Sequence, residues 1–335
     1  MGITTKDLAQ LCGVSRTTVH RALSGVGRIH PDTKERILKM AKEHDYRPDL
    51  LARGLVKGKT YYIGIVVLDV KNQYFAEMVS AIGAEMNRRG YCMNIMLHGN
   101  DRKMEKEQLT RLAAYHMDGI ILSSVNEGEE YREFLESLDI PIVSVDNKIA
   151  EGLPFVSINE EAAMQEAVVR ALRKGYQKLV FVCPALEPGE AQNAYVHRQR
   201  LKGFQEAVKR HPETEAGYLL DWSYLERVED LVNQEKRTAF LCTADNFALD
   251  IMKKLYSCGK EPPEDYGIVG FDNIDTLEYV SPRLVTISNS VDAVAQTAVN
   301  LLFELIEKKA AGEEMPDPAS LCKILPYEFI RGETL

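Results

Sequence analysis

Apolar, β-branched residues recur in short runs along most of the chain, and amphipathic stretches separate these runs. The pattern forms two series of runs, at residues 63–68, 93–97, 119–122 and 141–145, and then at 178–183, 238–242 and 267–271. Short apolar runs predict buried strands, whereas the stretches between them, such as residues 76–89, have helical periodicity. Alternating strands and helices are typical of parallel sheets covered by helices on both faces. The two series therefore predict two such sheets with a cleft between them.

The first sixty residues show a different pattern, that of three short amphipathic helices. Thr4 opens a capping-box pattern before the first helix, and Gly13 suits the tight turn that ends it. Ser15 is a good N-cap for a second helix over residues 16–23, and Pro31 is well placed to begin a third. This segment is predicted to form a small helical domain.

The second of these helices has two unlike faces. Its inward face is apolar, and its outward face offers hydrogen-bond donors from Arg16, Thr17, His20 and Arg21. Such a front suits a helix lying in the major groove of DNA, where Arg and Thr reach base edges or phosphates. An ordinary surface helix is the alternative, because an amphipathic helix alone is a weak signal.

Charge is unevenly distributed along the chain, whose net charge is −9. Residues 1–60 hold 12 Lys and Arg against 6 Asp and Glu, a net charge of +6, and the remaining residues therefore carry −15. A basic segment on an acidic body predicts that only the N-terminal segment meets a polyanion. Chance variation is the alternative explanation of so small an excess.

Several classes of protein are disfavoured. The six cysteines show no CxxC spacing, which argues against a zinc site and against a disulfide framework. No apolar run approaches the roughly 18 residues of a membrane helix, and the polar start lacks the core of a signal peptide, so we expect a cytoplasmic protein without membrane contact. The seven histidines adjoin no nucleophile or metal motif, so we expect no enzyme, metal or cofactor. His98 could line the cleft, and a surface or interface role is the alternative.

The string TKDLAQLCGVSRTTVHRALSG, followed by TKERIL and YRPDLLARGL, resembles the headpiece of the lactose-repressor (LacI/GalR) family over nearly its whole length. The resemblance implies a helix-turn-helix headpiece at residues 1–48, a hinge helix and linker at 49–59, and an effector-binding and dimerisation domain at 60–335. It also implies which residues meet double-stranded DNA: Thr4, Thr5, Ser15, Arg16, Thr17, Thr18, His20, Arg21, Arg28, Thr33 and Leu55.

Single positions refine this resemblance. Arg16 and Thr17 occupy the positions that discriminate operators in the family. His20 stands where Ser is usual and Ser24 where Asn is usual, which leaves the base preference open. Leu55 aligns with the leucine that wedges into the minor groove and kinks the DNA. Gly54 weakens the hinge helix, and so short a helix is marginal in isolation, so we expect it to be poorly ordered without DNA.

The body carries further matches to the sensor domain of this family, in LDVKNQYF (68–75), MDGIILSS (117–124), RLKGFQEA (200–207), VGFDN (269–273) and LPYEFIR (325–331). They imply a two-lobed fold like that of periplasmic sugar-binding proteins, with three crossovers and the ligand between the lobes. The expected fold class is thus α/β, with a three-helix headpiece and parallel sheets. Lobe 1 is expected at about 60–158 and 288–320, and lobe 2 at about 159–287 and 321–332.

Parallel strands place ligands beyond their carboxyl ends, and the family matches lie there. Arg200 and Asp272 align with positions that grip a polar ligand, and Trp222 with an aromatic wall. Arg200 as a surface ion pair, Asp272 as a turn cap and Trp222 as a loop anchor are the alternatives. For Tyr74 and Phe75 the alternative is an ordinary core position at a helix start. Ala244 stands where many relatives have Asn, so no particular sugar is implied. The candidate effector-binding residues are Asp69, Asn72, Tyr74, Phe75, Ser123, Asn147, Arg200, Trp222 and Asp272.

The expected function is that of a transcription regulator, a repressor, whose affinity for a palindromic operator changes when a small molecule, a carbohydrate, binds between the lobes. A solute receptor without a transcriptional role is one alternative, and a regulator answering to a nucleoside or a protein co-effector is another. Family members that tetramerise carry a leucine-rich tail, whereas this chain stops four residues after Arg331. We therefore expect a homodimer.

Overall fold

The computed structural model describes residues 3–46, 58–186, 192–232 and 235–335. The chain separates between Thr60 and Tyr61 into two compact units. The hinge helix predicted at residues 49–56, with its Leu55, lies outside the described residues.

The first unit is built from three helices, α1 (Thr5–Leu11), α2 (Arg16–Ser24) and α3 (Pro31–Glu43). Thr4 closes a capping box at the start of α1, and the Ser15 hydroxyl accepts a hydrogen bond from Thr18 N at 3.1 Å at the start of α2. The small core that joins the helices consists of Leu8, Ala9, Cys12, Val19, Ala22, Ile37 and Ala41.

The second unit contains a six-stranded parallel sheet. Its strands are β1 (Tyr62–Val67), β2 (Cys92–Leu97), β3 (Gly119–Leu122), β4 (Ile142–Val145), β5 (Phe155–Ile158) and β11 (Cys322–Leu325), in the order β11-β5-β4-β3-β1-β2. The helices of this lobe are α4 (Gln73–Arg88), α5 (Arg102–Ala114), α6 (Glu129–Ser137) and α11 (Val291–Ala311). The central strands β1 and β3 are almost wholly buried, as expected of a parallel sheet covered on both faces.

A four-stranded parallel sheet forms the second lobe. Its strands are β6 (Lys178–Val182), β7 (Glu215–Leu219), β8 (Thr238–Cys242) and β9 (Gly267–Val269), in the order β7-β6-β8-β9. Its helices are α7 (Glu160–Arg173), α8 (Tyr195–Lys209), α9 (Val228–Val232) and α10 (Asp245–Tyr256). Helices α7 and α8 approach closely at Gly203, where an added Cβ would lie 2.3 Å from the carbonyl oxygen of Glu161.

Two short strands extend the second lobe. Strand β10 (Thr286–Ser288) pairs antiparallel with β12 (Glu328–Ile330), and a bridge between Val269 and Val285 joins this pair to the end of β9. The chain therefore passes between the lobes three times, after β5, after β10 and between β11 and β12. The α/β fold class with two parallel sheets and a helical headpiece is confirmed.

One predicted lobe boundary is wrong. Residues 321–332 were expected in lobe 2, but β11 (Cys322–Leu325) pairs in parallel with β5 of the first sheet, and only β12 belongs to the second lobe. The reason is that β11 is an edge strand, whose Cys322, Lys323 and Ile324 are exposed. An exposed edge carries no buried apolar pattern that could assign it to a sheet. None of the helices in the described ranges has the length and apolar character that a bilayer crossing requires.

Candidate functional site

Helix α2 presents a polar face to solvent in the first unit. Arg16, Thr17, His20 and Arg21 are exposed, while Val19 of the same helix is fully buried. Because residues three and four apart lie on one face of a helix, these four side chains form a continuous outward surface, as predicted.

The other predicted DNA-binding residues surround this face in different environments. Ser15 and Thr18 share a hydrogen bond of 2.8 Å in the cap of α2, and Thr5 bonds to the hydroxyl of Tyr46 at 3.0 Å. These hydroxyls therefore also stabilise the headpiece itself. Thr4 and Arg28 are exposed and Thr33 is half-buried.

The turn after α2 folds back against one of these side chains. Gly27 has φ +93°, and a Cβ there would lie 3.3 Å from the Arg21 side chain. Glycine is needed at this position because L residues rarely adopt that φ. The turn thus limits the conformations that the aliphatic part of the Arg21 side chain can adopt.

The second unit holds a cleft of about 340 Å³ between its two lobes. The strand ends of both sheets open into it, as the strand-end rule for parallel sheets predicts. Every one of the nine predicted effector-binding residues lines this cleft: Asp69, Asn72, Tyr74, Phe75, Ser123, Asn147, Arg200, Trp222 and Asp272. Their role in binding an effector remains a prediction.

Arg200 is the centre of the polar network on the lobe 2 side. Its Nε donates to Glu160 Oε2 at 2.7 Å, its Nη1 to the carbonyl oxygen of Thr243 at 2.6 Å, and its Nη2 to Asn289 Oδ1 at 3.3 Å. The guanidinium stacks on the ring of Phe271 at 3.5 Å. A guanidinium has five N–H donors, so two remain that these three hydrogen bonds do not use.

Two buried carboxylates lie near this guanidinium, Glu160 at hydrogen-bonding distance and Asp272 farther away, and a third, Asp245, is buried at the start of α10. Asp272 Oδ1 lies 3.9 Å from Arg200 and accepts from Asn289 at 2.8 Å, whereas Asp245 accepts from Thr286 at 2.6 Å. Burial raises the pKa of Asp245 to about 7. Burial also raises the pKa of Asp272 well above its usual range, although Arg200 opposes the shift. Asp272, which lines the cleft, and Asp245, which does not, are therefore both carboxyl groups that are reluctant to ionise.

The backbone at Asp272 is unusual, because its φ is +112°, a value that L residues seldom adopt. Its amide donates to the carbonyl oxygen of Ile287 at 2.8 Å, which helps to hold the conformation. Strained backbone is often kept where it aims a functional side chain. Here the residue with the unusual backbone is Asp272, whose carboxyl group lies beside Arg200 and Asn289.

A second polar pair lies on the lobe 1 side. The hydroxyl of Tyr74 donates to Asp146 Oδ1, and the Ser123 hydroxyl approaches Asp146 Oδ2 at 3.5 Å. Burial raises the pKa of Asp146 to about 6, even though the Tyr74 hydrogen bond opposes the shift. An acceptor-rich pair thus faces the Arg200 network across the cleft.

Cross-lobe hydrogen bonds close one side of the cleft. Asn193 Nδ2 donates to the carbonyl oxygens of Asn126 and Lys148, both at 3.1 Å, and its backbone N donates to Val125 O at 2.9 Å. Asn147 Oδ1 accepts from Val196 N at 3.3 Å. We call these contacts the α8 latch, because they hold the start of α8 against lobe 1.

Contacts near α4 bind the lobes together on another part of the rim. Glu77 Oε1 accepts from the amide of Asp275 at 2.9 Å, and Gln73 Oε1 accepts from the amide of Thr276 at 3.3 Å. The structure therefore represents a closed arrangement of the second unit. Lobe 2 is held against lobe 1 at two separate places, the α8 latch and the contacts near α4.

Sequence reasoning missed several residues of the site, namely Glu160, Asn193, His197, Asn246 and Asn289. Glu160 follows the end of β5, so the strand-end rule could have found it. No sequence pattern marks Asn193 or His197 as a site residue, because their positions in the cleft depend on the packing of α8 against lobe 1. His98, for which two roles were left open, does line the cleft, and burial lowers the pKa of its imidazole.

Comparisons with known proteins agree with this geometry. Residues 4–49 match the family described as bacterial regulatory proteins, lacI family, and residues 168–332 match a periplasmic binding protein-like domain. Catabolite control protein A of Priestia megaterium is 31% identical over 324 residues, which cover 92% of this chain and 94% of that protein.

Solved structures give the same picture. A periplasmic binding protein/LacI transcriptional regulator from Alkaliphilus metalliredigens QYMF, complexed with D-xylulofuranose, is 26% identical with a TM-score of 0.69, and covers 82% of this chain and 98% of its own. The Lac repressor dimer bound to operator and the anti-inducer ONPF is 20% identical with a TM-score of 0.84, and covers 100% of this chain and 99% of its own.

Proposed function

This chain belongs to the lacI family of bacterial regulatory proteins, and from that premise we propose that it is a repressor with a palindromic operator and a sugar-like effector. As a member of that family it is a DNA-binding transcription regulator with a ligand-binding sensor domain. The observation that carries the proposal is the meeting of all nine predicted residues in one cleft of a chain that also bears the headpiece.

The headpiece supports an operator-binding role through its exposed α2 face. Arg16 and Thr17 provide donors of the kind that reads base edges in the major groove, and the basic N-terminal segment supplies phosphate contacts. Headpieces of this kind bind paired half-sites as dimers, so the proposal includes a homodimer and a palindromic site. A protein that works on bacterial DNA acts in the cytoplasm.

The chemistry of the cleft supports a neutral, polyhydroxylated effector. Its buried cation, Arg200, is already paired with Glu160 at 2.7 Å, which disfavours an anionic ligand. Its remaining donors and the acceptors of Asp146 and Asp272 suit neighbouring hydroxyl groups. The rings of Phe75 and Trp222 offer apolar walls for C–H faces, and the volume suits a small molecule. Binding without turnover is proposed, since these residues hold and orient a ligand.

Linkage explains how the effector would change operator affinity. A ligand that contacts both lobes binds the closed arrangement more tightly than an open one. It therefore shifts the open–closed equilibrium towards the closed form by the difference between its two binding free energies. If the closed and open forms space two headpieces differently, the half-site spacing is recognised in one form and lost in the other.

Selection of DNA from a random pool, repeated with a panel of sugars, tests this function. We expect the full chain, but not a version of residues 60–335, to enrich palindromes, and one neutral sugar to change their binding. Failure to enrich any palindrome with or without sugars contradicts the DNA-binding proposal. A response to a nucleoside and to no sugar contradicts the effector class alone.

A further inference from the structure

His197 lies in the first turn of α8, three residues before Arg200, and both side chains line the cleft. Residues at this spacing lie on the same face of a helix. His197 is thus the neighbour of the arginine at the centre of the site, although its type and position gave no motif in the sequence. Its place in the fold makes it a candidate for direct contact with a bound molecule.

The Nδ1 atom of His197 is buried and has no hydrogen-bond partner among the described residues. In the described part of the chain, two other buried side-chain atoms share this state, Gln108 Oε1 and Tyr266 Oη, and neither of those residues lines the cleft. Buried polar atoms are nearly always paired, and an unpaired one costs about 1–3 kcal/mol. An unpaired ring nitrogen at a binding cleft therefore points to a partner that the protein itself does not supply.

The surroundings of His197 determine which partner it can take. Burial, assisted by the positive charges of Arg200 and Arg198, lowers the pKa of its imidazole to about 3. The ring is neutral at physiological pH, and a neutral imidazole offers one donor and one acceptor. It therefore suits a hydroxyl group, which can donate or accept, better than it suits a charged group.

We propose that His197 is a specificity-determining residue of the cleft, which exchanges a hydrogen bond with one hydroxyl group of a neutral polyhydroxylated effector and fixes it beside Arg200. The inference rests on the proposed function, because it assumes an effector of that class. A site that has such a buried polar group discriminates against an analogue lacking the matching hydroxyl, since the ring nitrogen is then left unpaired. Because only one ring nitrogen of His197 is both buried and unpaired, only one hydroxyl group of the effector should contribute to this discrimination.

The experiment combines variants with analogues of the effector, using the full-length protein and isothermal titration calorimetry. A panel of neutral pentoses, hexoses and disaccharides first identifies a binding sugar with the wild type. Its monodeoxy analogues are then titrated into the wild type, His197→Phe and His197→Gln. His211→Phe is the matched control, because His211 is a half-exposed histidine of the same lobe that does not line the cleft.

We expect His197→Phe to weaken binding of the parent sugar by about 10-fold, the effect of one lost hydrogen bond to a buried group. One monodeoxy analogue should bind the wild type and His197→Phe with equal affinity, because neither protein can make the bond. His197→Gln, whose amide can donate and accept, should stay within about 3-fold of the wild type. His211→Phe should leave every affinity unchanged.

Two results would overturn the proposal in different ways. If His197→Phe binds the parent sugar and all its monodeoxy analogues as the wild type does, only an ordinary water meets Nδ1 and the His197 assignment fails alone. If the wild type binds no neutral sugar, the proposed effector class fails and the assignment fails with it. Should His197→Phe not fold, His197→Leu replaces it in the same titrations, and the assignment fails if His197→Leu binds the parent sugar and every monodeoxy analogue as the wild type does.

Discussion

Replacing Asn193 by Ala should release the α8 latch and shift the second unit towards an open arrangement. The side chain supplies two cross-lobe hydrogen bonds, to the carbonyl oxygens of Asn126 and Lys148. At a net value of about 0.5–1.5 kcal/mol each, their loss destabilises the closed form by about 1–3 kcal/mol. This corresponds to a change of about 5- to 150-fold in the open–closed equilibrium.

Hydrogen exchange at the amide of Val196 provides a local measurement. In the closed form this amide donates across the lobes to Asn147 Oδ1, so its exchange requires the latch to open. We expect its exchange rate in Asn193→Ala to rise by about 5- to 150-fold relative to the wild type, in step with the equilibrium. Residues 3–46 of the headpiece should exchange as before, because they belong to the other unit.

A second variant separates the latch from the start of helix α8. Asn193 Oδ1 also accepts from the amide of Tyr195, and alanine removes that bond as well. Asn193→Asp keeps this acceptor but places a carboxylate against two carbonyl oxygens, so it should open the cleft at least as much. Asn87→Ala, at an exposed position of α4, is the control. Unchanged exchange at Val196 in both Asn193 variants would refute the reasoning.

The remaining predictions concern charge, packing and DNA contact. Asp146 has a folded-state pKa of about 6, above its ordinary value of 3.8, so its contribution to stability is full below about pH 4 and is lost as the pH rises through 6. Asp146→Asn should therefore reduce the pH dependence of the unfolding free energy between pH 4 and 8 by about 3 kcal/mol, and an unaltered urea-denaturation profile would contradict this. Gly203→Ala forces a Cβ against a carbonyl oxygen of α7 and should lower the unfolding free energy by about 1–3 kcal/mol, whereas an unchanged urea midpoint would show that the helices move apart freely. Arg16→Ala should relax the base preference at one position of each half-site in a selection experiment, and an identical selected sequence would remove Arg16 from the reading surface. Leu55→Ala should weaken specific operator binding more than non-specific binding, and equal affinities to the wild type would contradict a wedge.

The fold and the cleft residues that follow strand ends were predictable from local signals, whereas Arg200, Trp222 and Asp272 came from the family resemblance. Strand ends such as Leu68–Asp69 and the residues around Ser123 can be located from short apolar runs, and all parallel strands of one sheet end at the same edge. The caps of α1 and α2 follow equally from nearby residues, Thr4 and Ser15. Each of these inferences needs only a few consecutive positions.

The features that the sequence did not predict depend on contacts between distant segments. Asn289 reaches Arg200 from the crossover after β10, 89 residues away in the chain. Asn193 is buried by the other lobe, so its neighbours along the chain give no sign of its role. Strand β11 was misplaced for the same reason, since only its pairing with β5 assigns it to the first sheet.

Trp222 gives this molecule an internal optical reporter. It is the only tryptophan of the chain, it lies at the cleft with 60% of its surface exposed, and its ring centroid is 6.2 Å from that of Phe247. Because an indole emits according to the polarity of its surroundings, a molecule that covers this ring changes the emission of the whole protein. Occupancy of the cleft can therefore be followed by intrinsic fluorescence in the unlabelled regulator, even while it is bound to DNA.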